Sequence, residues 1–227
     1  MKEQKSSNKS YVWGLMLGII ALTAVCLVEQ VLKPPYFVKS AVKLLCFGGA
    51  VVLHALLTRK GIREVIGLHK PKSLRKLILF IVVFFLGIGI LFLIFKSRID
   101  LSSIRKSLIA KEGLTKKNCF FVFAYIIVVN SFLEEAFFRG FLSGLIPNRK
   151  IGFSVSALLF SIYHIGIIGN WFNPFLLAFC ITGLAVVALC LQFLSERFGS
   201  VAASWIVHAS ANVAINTIGA LLIFEVL

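Results

Sequence analysis

Uncharged apolar runs, each about the 17–25 residues needed to cross hydrocarbon, recur along the chain between short polar or basic stretches. They predict membrane-spanning helices one after another. Tyr11 to Val28 is the first, preceded by the basic tail Lys2, Lys5 and Lys9. It lacks an A-x-A-like cleavage site, and the valine before Cys26 fits a lipoprotein signal poorly, so the run is expected to stay as an uncleaved span. Tyr36 to Leu57 follows, with Lys39 and Lys43 near its end expected to snorkel, and then Leu77 to Phe95. The stretch from Gly61 to Lys76 between them is strongly basic. A fourth run extends from Asn118 to Ser143. No Asp, Glu, Lys or Arg occurs between Lys150 and Glu196, a length that requires two spans, with the break expected at Gly169-Asn170-Trp171-Phe172-Asn173-Pro174. Ser200 to Phe224 supplies the last. The fold class is therefore all-α, a polytopic transmembrane bundle of about seven spans, and an eighth would require Asn216 or Gly219 to break the final helix.

Composition agrees with the pattern. Of 227 residues 59% are hydrophobic and nine are acidic, with a mean hydropathy of +0.96, more apolar surface than a soluble domain can hide. The net charge of +15 comes from Lys and Arg clustered beside the spans, which points to anionic lipid head groups and excludes nucleic acid as a partner. With the N-terminus in the cytoplasm, 13 basic residues fall inside and 10 outside, a small bias toward that orientation. Leu101 to Lys111 reads as a surface helix with Leu101, Ile104, Leu108 and Ile109 on one side. The five cysteines show no C-x-x-C spacing and read as packing residues.

Charge inside the fourth run changes the picture. Glu134, Glu135 and Arg139 stand in an otherwise apolar stretch, and one ionised side chain near the bilayer centre costs about 2.5–3.5 kcal/mol on insertion scales. Glu135 and Arg139 are spaced to pair along the helix, while Glu134 points about 100° away and would remain available. Asn130 and Ser131 lie within hydrogen-bonding reach of Glu134. Two further polar sites follow: His164 in Phe160-Ser-Ile-Tyr-His164, and His208 with Asn212 in His208-Ala-Ser-Ala-Asn212. Measured from one membrane face, Glu134, His164, Asn212 and His208 lie about 16, 20, 18 and 12 Å deep at ~1.5 Å per residue. Four polar groups from three helices thus share one layer near the centre.

A carboxylate, two imidazoles and a carboxamide in one buried layer suit hydrolysis of an acyl bond by activated water. Glu134 would take the water proton, with His164 holding the water. His208 and Asn212 would donate to the developing oxyanion, and Glu135 with Arg139 would orient the site.

Glu-Glu-x-x-x-Arg at 134–139, Phe-x-x-x-His at 160–164 and His-x-x-x-Asn at 208–212, in this order on separate membrane helices, resemble the three motifs of the CPBP family. That family groups type II CAAX prenyl proteases with bacteriocin-processing and immunity proteins, also called Abi. The resemblance covers roughly Asn118 to Phe224. It implies a glutamate-dependent intramembrane endopeptidase with a conical catalytic cavity, in which Glu134 and His164 activate water, His208 and Asn212 form the oxyanion site, and Glu135 and Arg139 support them. Residues 1–117 would then be an N-terminal three-span segment with basic loops and 118–227 the catalytic four-helix core.

The implied substrate is a membrane-associated peptide or protein, with no cofactor. A metal is not expected, because no H-E-x-x-H occurs; if one were bound, Glu134, His164 and His208 would be its ligands. The alternative is a non-catalytic bacteriocin-immunity or scaffold protein of the same family, which would have no need of Glu134 and His164 together. A transporter is disfavoured because paired broken helices in two repeats are missing. The Phe- and Ile-rich composition suggests a bacterial plasma membrane.

Overall fold

The computed structural model describes residues 2–169 and 171–227, with side chains from Ser10 onward except that of Asn170. Asn170 of the expected turn and the side chains of Lys2, Lys5 and Lys9 therefore lie outside the described residues. Among the described residues the protein is helical throughout, with no strand. Among the described residues seven helices are long and apolar enough to cross a membrane: α1 (Ser10–Leu32, its helix beginning at Lys2), α2 (Tyr36–Thr58), α4 (Leu74–Arg98), α6 (Cys119–Leu142), α7 (Arg149–Ile168), α8 (Pro174–Phe198) and α9 (Val201–Ile223). Two short helices, α3 (Ile62–Val65) and α5 (Leu101–Ala110), lie in the connections. The protein is an integral membrane bundle, and α9 runs unbroken through Asn216 and Gly219, so the last run contributes a single span.

Local chemistry sets the ends. Asn173 accepts the Leu176 N–H with Pro174 in the first helical turn, Asn148 caps α7, and Asp100 caps α5 through Ser103. Hydrogen bonds from the Ser103 N–H and from Ser102 hold the Asp100 carboxyl below the usual carboxylate range. Gly199 takes φ +69°, a left-handed conformation that ends α8 and lets Ser200 cap α9 at once, so these two helices are antiparallel neighbours. Exposed apolar side chains such as Phe37, Leu79 and Leu93 clothe the outside, which is what a hydrocarbon solvent requires.

The interior is aromatic where α2, α6 and α7 meet. Phe47 stacks on Phe137 at 4.0 Å between ring centroids, and Phe138, Phe141, Phe160 and Tyr163 complete the cluster. All five cysteines are free. In α5, Ile104 and Leu108 are buried in a cluster with Leu222 and Ile223 of α9, whereas Ile109 is exposed.

Lys39 and Lys43 do not snorkel. Both are more than nine-tenths buried: Lys39 reaches Glu112 at 2.8 Å and Glu29 at 3.5 Å, tying α1, α2 and the connection before α6, and Lys43 turns inward. Carboxylates within reach of each ammonium make inward pairing the better way to satisfy it than a climb to the interface.

The basic connection between α2 and α4 is folded into the bundle. The Val201 N–H donates to the Gly67 carbonyl, the His69 N–H to Ser200 Oγ, and the Lys72 N–H to the Phe198 carbonyl. Ile66 is buried with its backbone against Gly140, where an added Cβ would come within 2.5 Å of the Ile66 oxygen. Gly140→Ala is therefore expected to destabilise by about 1–3 kcal/mol through overpacking. Gly49→Ala, whose methyl meets nothing within 4 Å, should leave the melting temperature of the purified protein unchanged.

Candidate active site

The glutamate pair sits on a regular α-helical turn, Ser131–Glu135, between two π-wound stretches of α6, Ile126–Asn130 and Ala136–Leu142. Such wider turns shift side-chain register and frequently mark functional positions. Three side chains of α9 face this region. Trp205 Nε1 donates to the Val128 carbonyl and to Ser131 Oγ, both at 3.1 Å, and Asn212 Nδ2 donates to the Ile126 carbonyl at 3.3 Å. Between them, His208 reaches the two glutamates.

His208 bridges the pair. Its Nδ1 lies 2.9 Å from Glu135 Oε1 and its Nε2 lies 3.8 Å from Glu134 Oε2. Glu135 is fully buried, and its other oxygen faces Arg139 Nε at 3.3 Å, the expected pairing one turn along the helix. The Arg139 guanidinium lies 4.1 Å from the Phe160 ring centroid, while the His164 and His208 rings pack against the same phenyl group at 4.4 and 5.9 Å. Phe160, the first residue of the second motif, is thus the apolar spacer around which the arginine and both histidines are arranged.

Glu134 is 2% exposed, and it is not the unpaired neighbour that helical spacing implied. Lys43 Nζ lies 3.4 Å from its Oε1, which also accepts from Asn130 Nδ2 at 3.1 Å and from the Tyr163 hydroxyl at 3.3 Å. Ser131, expected as a second partner, instead donates to the Ile127 carbonyl of its own helix and accepts from Trp205. Back-bonding to the preceding turn is the nearer option for a helical serine.

His164 ends the regular part of α7 and is half-buried. Its Nδ1 lies 2.7 Å from the Phe160 carbonyl, so this nitrogen carries the proton and Nε2 keeps its lone pair. The ring is within electrostatic reach of Glu134. Asn212 stands one turn beyond His208, with one amide hydrogen committed to Ile126 and the other free. All seven motif side chains of α6, α7 and α9 therefore lie in one region of the bundle.

Sequence reading missed Lys43 and Tyr163. The available signals were a lysine inside an apolar run and a tyrosine immediately before the motif histidine. A cavity of about 1140 Å³ opens on the membrane face formed by Trp13, His54, Arg149 and Ser200, and it reaches the site through Arg139 and Gly140 rather than through the glutamates. One Glu134 oxygen is taken by an ammonium, an amide and a phenol, and among the described residues no three His, Cys, Asp or Glu side chains are grouped to hold one ion.

Residues 116–214 match the family model of Rce1-like type II CAAX prenyl endopeptidases. The resemblance read from the three motifs is borne out over that segment, which contains every motif position. No curated protein and no solved structure matches the chain.

Breaking a buried ion pair by removing one partner leaves an uncompensated charge. Arg139→Gln is accordingly expected to lower stability by about 3–5 kcal/mol, read as a reduced midpoint of thermal unfolding in detergent.

Proposed function

We propose, from the premise that residues 116–214 form a CAAX-type endopeptidase domain, that the protein hydrolyses a peptide bond of a membrane-associated peptide or protein by glutamate-activated water. The observation that carries this reading is His208 lodged between two buried carboxylates, one fixed by Arg139 and the other facing the histidines. A packing network would not need two adjacent carboxylates of such different surroundings.

Water held between Glu134 Oε2 and the free lone pair of His164 Nε2 attacks the scissile carbonyl carbon. Glu134 takes its proton and then passes it to the leaving amine as the carbon–nitrogen bond breaks. The carbonyl oxygen, now an oxyanion, is met by His208 Nε2–H and the free amide hydrogen of Asn212. For that role His208 must carry both ring protons, with Nδ1–H held by Glu135; Glu135 is then the counter-ion of the oxyanion donor, and Arg139 fixes Glu135. No step is routed through a metal.

The catalytic core corresponds to residues 118–227. The chain resides in a bacterial plasma membrane with its N-terminus in the cytoplasm, and its substrates are peptide precursors or membrane-protein tails.

Glu134→Ala and His164→Ala are each expected to abolish cleavage, scored as the loss of the same peptides from membrane peptidomes of cells carrying the variants. An unchanged peptidome in both, with any cellular phenotype retained, would favour the immunity or scaffold reading. Glu135→Gln is expected to lower turnover about 10²-fold, because one oxyanion donor is lost. Purified protein is expected to keep its activity after exhaustive treatment with a zinc chelator.

A further inference from the structure

Lys43 lies outside the family-matched segment and outside all three motifs, yet it touches the carboxylate on which the proposed chemistry turns. It is 6% exposed, and both of its hydrogen-bonding contacts are to α6: Asn130 Oδ1 at 2.9 Å and Glu134 Oε1 at 3.4 Å. Its ammonium also stands 5.1 Å from the centre of the Tyr163 ring. Lys39, one turn nearer the membrane surface, is already committed to Glu29 and Glu112. The two lysines therefore do different things.

We propose that Lys43 is a positioning residue that holds Glu134 ionised and turned for catalysis, so that α2 completes a site whose other members come from α6, α7 and α9. The proposal rests on the reading of Glu134 as the base.

Three observations support it. The first is charge balance. Glu134 is faced by Asn130 and, further along the same helix, Arg139; by Lys43 from α2; by Tyr163 and His164 from α7; and by His208 from α9. Arg139 contacts Glu135, so among the described residues Lys43 is the one permanently charged cation in contact with Glu134. Without it the only cations near Glu134 among the described residues would be Arg139 and a protonated His208, both of which lie closer to Glu135. The Glu134 carboxylate would keep no contacting cation of its own in a dry interior, where protonation is the cheaper state. A protonated carboxyl cannot accept a proton from water.

The second is orientation. Lys43, Asn130 and Tyr163 all converge on Oε1, which leaves Oε2, 3.8 Å from His208 Nε2, without a hydrogen bond among the described residues. The oxygen that must handle the water is thereby kept open.

The third is what stability alone would select. A buried ion pair replaced by apolar residues of similar volume is often neutral or stabilising, so folding gives little reason to place a lysine at this depth. An ionised base does.

The test uses purified full-length protein in lipid at neutral pH, with infrared difference spectra of wild type, Lys43→Met, Lys43→Arg and Lys43→Met/Glu134→Gln. Lys43→Met is expected to gain a protonated-carboxyl absorption that wild type and Lys43→Arg lack and that the added Glu134→Gln removes. In cells, the peptides lost from the membrane peptidome of Glu134→Gln should also be lost in Lys43→Met and return in Lys43→Arg. A Lys43→Met protein without the new absorption overturns the proposal, and so does one with an unchanged peptidome. If Glu134→Gln itself leaves the peptidome unchanged, the reading of Glu134 as the base fails while the infrared result still decides whether Lys43 keeps it ionised.

Discussion

Two carboxylates cannot be carried into hydrocarbon side by side without a cation for each. That constraint organises the centre of the bundle. Glu135 is matched by Arg139 from its own helix and Glu134 by Lys43 from α2, and His208 is set between the two acids. Because the cations come from different elements, the carboxylates end in different states of restraint. Glu135 is locked by an arginine that is itself laid against the Phe160 ring. Glu134 is held by one oxygen only.

The surrounding fold can be understood as support for that arrangement. Phe160 spaces Arg139, His164 and His208, and the stacked Phe47 and Phe137 bring α2 against α6 closely enough for Lys43 to reach across. Trp205 and Asn212 grip carbonyls of the π-wound stretch of α6, which fixes α9 in register with the glutamates. The folded connection between α2 and α4 closes the bundle under Gly140. Each of these contacts braces α6, the helix that bears the acids, against another part of the bundle.

Much of this was legible in the chain. Long uncharged runs left little choice about seven spans, because a helix is the one local structure that satisfies its own backbone in lipid. The depth of Glu134, His164, His208 and Asn212 was legible from helical rise alone, since alternating spans can be measured from a common face. Lys43 was not. It lies seven residues from the start of its span, about 11 Å at ~1.5 Å per residue, shallow enough for snorkelling to be the default. Its partner was also hidden, because Glu134 belongs to a helix 91 positions away and no local spacing connects them. Ser131 was misjudged for the opposite reason: its own helix offered a closer acceptor than any spacing rule revealed.

The central claim is that a water molecule at Glu134 and His164 attacks a carbonyl whose oxygen is received by His208 and Asn212. Cryo-electron microscopy of the protein in lipid with a bound phosphinate peptide, a mimic of the tetrahedral intermediate, tests it most directly. One phosphinate oxygen is expected within hydrogen-bonding distance of Glu134 and His164 and the other within reach of His208 Nε2 and the Asn212 amide. Density for the inhibitor elsewhere, or these side chains turned toward lipid or into separate crevices, would contradict the account.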